Sequence, residues 1–104
     1  MEEIKKRVRK FRDERDWSQF HTPGNLAKAI SIEAGELLEH FLWDDNYDKE
    51  AVGEELADVM VYCLHMADSL GVNIEDIIDK KMDKNEKKYP VEKAKGTSKK
   101  YTEL

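Results

Sequence analysis

The stretch "SIEAGELLEHF", Ser31–Phe41, has the spacing of an amphipathic helix, yet it places a carboxylate on its apolar face. On a helical wheel at ~100° per residue, the apolar sector spans about 60° and contains Leu26, Ile30, Leu37 and Phe41. Glu33 falls inside this sector and Glu36 on its edge. Because residues three apart are neighbours on a helix, Glu33 and Glu36 form a pair.

A second stretch repeats the arrangement, "EELADVMVYCLHMA", residues 54–67. Glu55 lies within about 40° of Val59, Tyr62 and Met66 on the wheel, and Asp58 lies about 60° from Glu55. If the chain turns near residues 44–48, an antiparallel hairpin brings Glu36 and Glu55 to the same depth, each about 10 Å from the turn. The sequence therefore predicts that two carboxylate pairs face each other: Glu33 with Glu36, and Glu55 with Asp58.

Facing carboxylates of this kind indicate a metal site. Burying them without partners costs several kcal/mol each. Oxygen ligands with no cysteine or histidine in register favour a hard cation, Mg²⁺ above all, or Mn²⁺. A di-iron bundle would need Glu-x-x-His on two helices, and the residues three before His40 and His65 are Leu37 and Tyr62. The alternative is a solvated acidic face paired with lysines.

Apolar periodicity predicts four helices and no strands, and hence an all-α four-helix bundle. The helices span about residues 2–16, 23–43, 49–70 and 74–89, and an extended C-terminal arm follows. Local signals mark their ends. Thr22, Asp48 and Asn73 are predicted N-caps, Pro23 suits a first turn, and Gly71 suits the position after a helix.

Length and composition indicate one domain, residues 1–104. The charged N-terminus is unlike a secretory signal, no apolar run suits a membrane span, and the single Cys63 indicates a buried thiol in a reducing cytoplasm. Residues 33–58 hold ten acids and one lysine, whereas residues 80–100 hold nine lysines and three acids. The basic region is short and carries no nucleic-acid motif, which argues against a nucleic-acid polymer as partner.

The third helix contains an uncharged segment, "VMVYCLHMA", residues 59–67. A helix that is apolar all round is buried all round. A monomer this small can hardly enclose such a helix, so the segment predicts packing against a second copy of the chain.

Taken together, the sequence resembles the MazG-like, all-α nucleoside triphosphate pyrophosphohydrolases. Beyond the two acid pairs, four stretches resemble the dCTP pyrophosphatase subgroup over nearly the whole chain: "RDWSQFHTPGNL", "EAGELLEHFLW", "EELADVMVY" and "KMDKNEKKYP...KGTSKKYTEL". The resemblance implies a Mg²⁺-dependent enzyme that converts a nucleoside triphosphate to its monophosphate and pyrophosphate. It also implies a homodimer or homotetramer.

The resemblance assigns roles residue by residue. The metal ligands would be Glu33, Glu36, Glu55 and Asp58, with Glu36 and Asp58 as the catalytic pair. The phosphate-side residues would be Lys81, Asn85 and Tyr89. The base pocket would contain Trp17, His21 and Trp43, with Tyr62 nearby.

Three readings of the function remain open from the sequence. The first is cleavage of dCTP or modified dCTP, which would clear unwanted nucleotides from the pool. The second keeps the chemistry but changes the substrate to dUTP or phosphoribosyl-ATP. The third is a non-catalytic nucleotide sensor or helical interaction module.

Overall fold

The computed structural model describes residues 1–43 and 45–104, and its regular structure is helical. Five α-helices follow one another: α1 (Glu2–Glu14), α2 (Pro23–Glu39), α3 (Lys49–Leu70), α4 (Ile74–Lys88) and α5 (Val91–Ala94). Two 3₁₀ turns occupy Ser18–Phe20 and Tyr101–Glu103. No strand occurs among the described residues, and the predicted all-α class is confirmed.

The residues predicted to begin and end the helices do so in the structure. Thr22 Oγ1 accepts a hydrogen bond from the Asn25 backbone N–H at 3.2 Å, and Pro23 occupies the first turn of α2. Asp48 Oδ1 accepts from two backbone N–H groups of α3, and Asn73 Oδ1 accepts from one of α4 at 3.0 Å. Gly71 ends α3 with φ 69°, a left-handed conformation that favours glycine.

Two helices are shorter than the sequence predicted. α1 ends at Glu14 because Asp16 adopts a φ of 53°, which a helix does not continue through. α2 ends at Glu39 rather than near Trp43. The next three backbone N–H groups, ending with that of Leu42, bond carbonyls three residues back at 3.0–3.3 Å, so the chain tightens into a turn.

One predicted break lies partly outside the described residues, and the C-terminal tail differs from expectation. The predicted break at residues 44–48 includes Asp44, which lies outside the described residues. Beyond Pro90, α5 and the 3₁₀ turn Tyr101–Glu103 interrupt the arm that the sequence predicted as extended.

The first compact unit, Met1–Val72, contains α1, α2 and α3. Ser69 Oγ donates to the His21 carbonyl oxygen at 2.8 Å, and His40 Nε2 lies 3.6 Å from Glu55 Oε1. The start of α2 thus lies beside the end of α3, and the end of α2 beside the start of α3. α2 and α3 therefore form the antiparallel hairpin that the sequence predicted.

Ion pairs join α1 to the C-terminal end of α3. The Arg9 guanidinium donates to both carboxylate oxygens of Asp68 at 3.1–3.2 Å, and Arg12 Nη1 donates to Asp68 Oδ2 at 3.2 Å. Such forked guanidinium–carboxylate contacts fix orientation as well as distance. This arrangement holds α1 beside α3, where Ile4, Val8 and Phe11 line one cavity with residues of α3.

The second compact unit, Asn73–Leu104, contains α4 and α5. Tyr89 and Tyr101 meet edge to face at 6.0 Å, and Lys88 Nζ lies 4.9 Å from the Tyr101 ring centroid. These contacts fold the end of the chain back onto the end of α4. The prediction of one domain over residues 1–104 stays a prediction.

Few apolar side chains are fully buried in the single chain. The buried apolar residues of the first unit are Leu26, Leu64 and Ala67. Cys63, predicted to be buried, is only half-buried, and Met60 in the uncharged segment of α3 is exposed. Packing against a second copy of the chain stays a prediction.

Candidate active site

Three of the four predicted acids converge where α2 faces α3. One carboxylate oxygen each from Glu33, Glu55 and Asp58 lies within 4.8 Å of the other two. Glu33 comes from the middle of α2, and Glu55 and Asp58 are three residues apart on α3. The hairpin places them at one depth because it is antiparallel and its turn is short.

Glu36 lies beside this cluster and is close enough to Glu33 to raise the pKa of that carboxyl. Together with Glu55 it lines a cleft of about 290 Å³, whose other walls are Glu39 and His40. Glu36 therefore faces Glu55 across the hairpin, as its spacing predicted. Glu55 belongs both to the cluster and to the cleft lining, so it links Glu36 to the other two acids.

The charges and burial of the clustered carboxylates suit the binding of a cation. The pKa of Glu33 is raised above its ordinary value by burial, by the hydrogen bond with Glu36 and by the charges of Glu36, Asp58 and Glu55. The Oε2 atoms of Glu33 and Glu55 are buried and accept no hydrogen bond from the described residues. Carboxylate oxygens that are close, buried and unpaired are the donor set that a hard divalent cation prefers.

A cavity of about 510 Å³ opens next to the acids, between α1, α3 and the α1–α2 connection. Its lining combines acids, aromatic rings and aliphatic side chains: Ile4, Arg7, Val8, Phe11, Trp17, His21, Glu33, Asp58, Val61, Tyr62 and His65. Three predicted base-pocket residues, Trp17, His21 and Tyr62, thus share one cavity with two predicted metal ligands.

Rings hold one another in place around this cavity. Trp17 meets Phe11 edge to face at 5.5 Å between centroids, and His21 lies 4.5 Å from His65. Tyr62 meets His65 at 6.1 Å. Flat, partly exposed rings held in this way can stack on a heterocycle that enters the cavity.

Both histidines of the cavity favour the neutral form. Burial lowers the pKa of His21, and the Arg12 charge lowers it further. Burial also lowers the pKa of His65, as do His21 and Arg12, while Asp68 opposes the change. The two imidazoles therefore offer hydrogen-bonding nitrogens without a positive charge at neutral pH.

The remaining predicted site residues lie elsewhere. Trp43 is 91% exposed and does not line this cavity. Lys81, Asn85 and Tyr89 belong to the second unit. Lys81 is exposed on α4, Asn85 Nδ2 donates to Met82 Sδ at 3.8 Å, and Tyr89 lies just past the last residue of the helix.

The structure also adds cavity residues that sequence reasoning did not assign. Phe11, Val61 and His65 line the cavity, as does the guanidinium-bearing Arg7. A sequence signal existed for Val61 and His65, because they follow Asp58 by three and seven residues and so share its helical face. None existed for Arg7 and Phe11, since the position of α1 beside α3 is a tertiary property.

Known proteins resemble this chain in sequence and in structure. A sequence profile described as the MazG-like family matches residues 28–104. The chain is 38% identical to dCTP pyrophosphatase 1 of Homo sapiens and 37% identical to that of Mus musculus, over 100% of this chain and 67% of each relative. A crystal structure of a pyrophosphatase from Archaeoglobus fulgidus is 45% identical, with a TM-score of 0.77, over 86% of this chain and 92% of that one.

The all-helical fold and the similarity to pyrophosphatases define the class of this protein as an all-α nucleoside triphosphate pyrophosphohydrolase. This chain belongs to the MazG-like family. The prediction of a nucleoside triphosphate pyrophosphohydrolase is confirmed. Within the described part of the chain, every helix is too short or too polar to cross a membrane.

Proposed function

We propose that this chain cleaves dCTP, or a closely related pyrimidine deoxynucleoside triphosphate, to the monophosphate and pyrophosphate. One observation carries the proposal. The carboxylates of Glu33 and Asp58 line the same cavity as Trp17, His21 and Tyr62. A cavity with acids on one side and rings on the other suits a molecule with a polyphosphate at one end and a base at the other.

Mg²⁺ is the proposed cofactor, with Mn²⁺ as a substitute, and Glu33, Glu55 and Asp58 would hold it. When bound, the cation would neutralise charge on the triphosphate and raise the nucleophilicity of water. Glu36 lies next to these ligands and lines the adjoining cleft with Glu55. It is therefore the best-placed carboxylate to orient or deprotonate the attacking water.

The base would occupy the aromatic side of the cavity. Stacking on Trp17 contributes binding free energy for any base, because every base has a π-face. Lys81, Asn85 and Tyr89 are proposed to contact the phosphates through a cation and hydrogen-bond donors. Trp43 is proposed to complete a base pocket.

The preference for dCTP is supported by the relatives, which are named dCTP pyrophosphatase 1. The chain resembles them over its whole length at 37–38% identity. The alternative substrates for the same reaction are dUTP and phosphoribosyl-ATP.

A nucleotide panel tests the proposal. Purified protein is incubated with Mg²⁺ and each of dCTP, dUTP, dTTP, dATP and phosphoribosyl-ATP, and products are identified by chromatography. We expect dCMP and pyrophosphate from dCTP, at the highest kcat/KM of the panel. Release of orthophosphate together with dCDP would contradict the proposed reaction. Binding of dCTP in calorimetry without turnover would favour a non-catalytic sensor.

Two variants test the site itself. Glu36→Gln and Asp58→Asn should each abolish pyrophosphate release from dCTP. Glu54→Gln is the matched control, because it removes an exposed carboxylate from α3 next to Glu55. Full Mg²⁺-dependent turnover in both site variants would show that the chemistry lies elsewhere.

Self-association into a homodimer or homotetramer is part of the proposal. Large apolar side chains on α2 and α3 are exposed in the single chain, among them Ile32 at 63%, Leu38 at 70% and Leu56 at 51%. Exposed apolar surface of this kind marks an interaction site. Light scattering coupled to gel filtration should therefore give a mass of two or four chains, and a stable monomer at micromolar concentration would contradict it.

A further inference from the structure

His65 is the least exposed residue of the cavity lining. It is 4% exposed, whereas Ile4, Phe11 and Trp17 are 52%, 43% and 43% exposed. The exposed residues therefore form the rim of the cavity, and His65 forms part of its floor.

The His65 side chain has an unused hydrogen-bonding atom. Its Nδ1 is buried and has no partner among the described residues. Its ring contacts are the rings of His21 at 4.5 Å and Tyr62 at 6.1 Å. A buried polar atom without a partner is costly, so a ligand that reaches the floor and supplies one is favoured.

The chemistry of the floor selects one end of a nucleotide. Burial, with contributions from His21 and Arg12, lowers the pKa of His65 and keeps the imidazole neutral. A neutral ring carries no positive charge that would favour phosphate over a base, and it can donate or accept a hydrogen bond according to its tautomer. An uncharged heterocycle with donors and acceptors on its edge matches this floor.

The spacing along α3 agrees with that assignment. Asp58 and His65 line the same cavity and are separated by seven residues, or about 10 Å at ~1.5 Å per residue. This distance separates the acidic, phosphate side of the cavity from its floor. A nucleotide can therefore extend along α3, with its phosphates near Asp58 and its base near His65.

We propose that His65 is a specificity-determining residue whose Nδ1 hydrogen-bonds the edge of a pyrimidine base stacked on Trp17. This inference rests on the proposed function, since it assigns a base to the cavity of the pyrophosphohydrolase. His65 contacts the base and takes no part in the cleavage itself.

Two variants of His65 test the contact. His65→Leu keeps an apolar body but removes the ring nitrogens, and His65→Gln keeps both a donor and an acceptor. For each variant, KM and kcat are measured with dCTP, together with the inhibition constant of inorganic tripolyphosphate, which has no base. Folding is checked by circular dichroism and thermal unfolding.

We expect His65→Leu to raise KM for dCTP about tenfold with little change in kcat, because a contact made equally in the ground and transition states affects KM alone. The tripolyphosphate inhibition constant should stay within twofold. His65→Gln should restore at least part of the lost affinity. If His65→Leu does not fold, His65→Phe, which also lacks the ring nitrogens, replaces it under the same criteria.

Two results would overturn the inference. One is an unchanged KM for dCTP in folded His65→Leu, and the other is a parallel rise in that variant of KM and the tripolyphosphate constant, which indicates a structural role. Failure of the proposed function looks different, because the unaltered protein would then release no pyrophosphate from any triphosphate. Binding of dCMP in EDTA, followed by tryptophan fluorescence, provides a second readout that is independent of turnover.

Discussion

Replacing Glu33 with glutamine should stabilise the metal-free protein and remove most of its stabilisation by Mg²⁺. One carboxylate oxygen of Glu33 lies within 4.8 Å of oxygens of both Glu55 and Asp58. Without a cation these groups repel one another, and Glu33→Gln removes the charge that both neighbours share. With a cation the same substitution removes a ligand.

The expected gain in stability follows from the distance between the carboxylate oxygens. Two unit charges 4.8 Å apart repel by about 1 kcal/mol in bulk water and by about 3.5 kcal/mol at an effective dielectric constant of ~20. Asp58 is exposed, and Glu33 and Glu55 are half-buried, so the lower figure applies. A gain of about 1 kcal/mol raises Tm by roughly 4–8 °C in a domain of this size.

The stabilising effect of Glu33→Gln depends on pH, and the raised pKa of Glu33 gives its direction. Burial, then the hydrogen bond with Glu36 and the neighbouring charges, raises the pKa of Glu33 above its ordinary 4.5. A carboxyl with a raised folded-state pKa contributes stability below its ordinary pKa, and this contribution is lost as pH rises through the raised value. The advantage of Glu33→Gln should therefore be absent below pH 4.5 and grow toward neutral pH.

The assay is thermal unfolding by circular dichroism at one fixed protein concentration, in EDTA and in a Mg²⁺ series, over a range of pH. Mg²⁺ at 100 times its Kd should stabilise the unaltered protein by about 2.7 kcal/mol and Glu33→Gln by much less. Glu54→Gln, the control, should retain the full Mg²⁺ effect. A lower Tm for Glu33→Gln in EDTA at neutral pH, or an undiminished Mg²⁺ effect, would refute the reasoning.

Three further predictions concern the cavity and the helices. Trp17→Ala should raise KM for dCTP at least fivefold, since stacking is worth ~1–3 kcal/mol per base, and an unchanged KM in steady-state kinetics would contradict this. Gly71→Ala should lower the free energy of unfolding by ~1–2 kcal/mol because φ is 69° there, while Gly53→Ala, inside α3 with open space around its Cα, should raise it by ~0.5–1 kcal/mol. Urea unfolding of both variants measures the two changes, and equal effects would contradict the prediction. Asp68→Asn should lower Tm by weakening the attachment of α1 to α3, whereas Asp83→Asn on α4 should not, and equal Tm values in the two variants would remove that role.

The helices were predictable because their signals are local. Thr22, Asp48 and Asn73 cap helices with their own side chains, and Gly71 ends one through its own backbone. The errors arose at the ends, where the apolar pattern continued past Glu39 although the backbone tightened into a turn. Periodicity records which side chains are apolar, not where the chain changes direction.

The acid cluster was predictable for a different reason. Both acid pairs lie on apolar helical sectors, and a short turn forces the helices to run antiparallel. Register and depth then follow from the rise per residue. This is why Glu33, Glu55 and Asp58 meet as the spacing predicted.

The sequence by itself determined the helices, their caps and the pairing of the acids, since each depends on neighbours a few residues away or on one short hairpin. Only the tertiary structure decided the cavity. It depends on the Arg9 and Arg12 contacts with Asp68, which place α1 beside α3 across more than fifty residues of chain. The same packing placed His65 in one cavity with Trp17 and Phe11. Its buried Nδ1 has no hydrogen-bond partner among the described residues. Such contacts join residues far apart in the chain, and no local pattern encodes them.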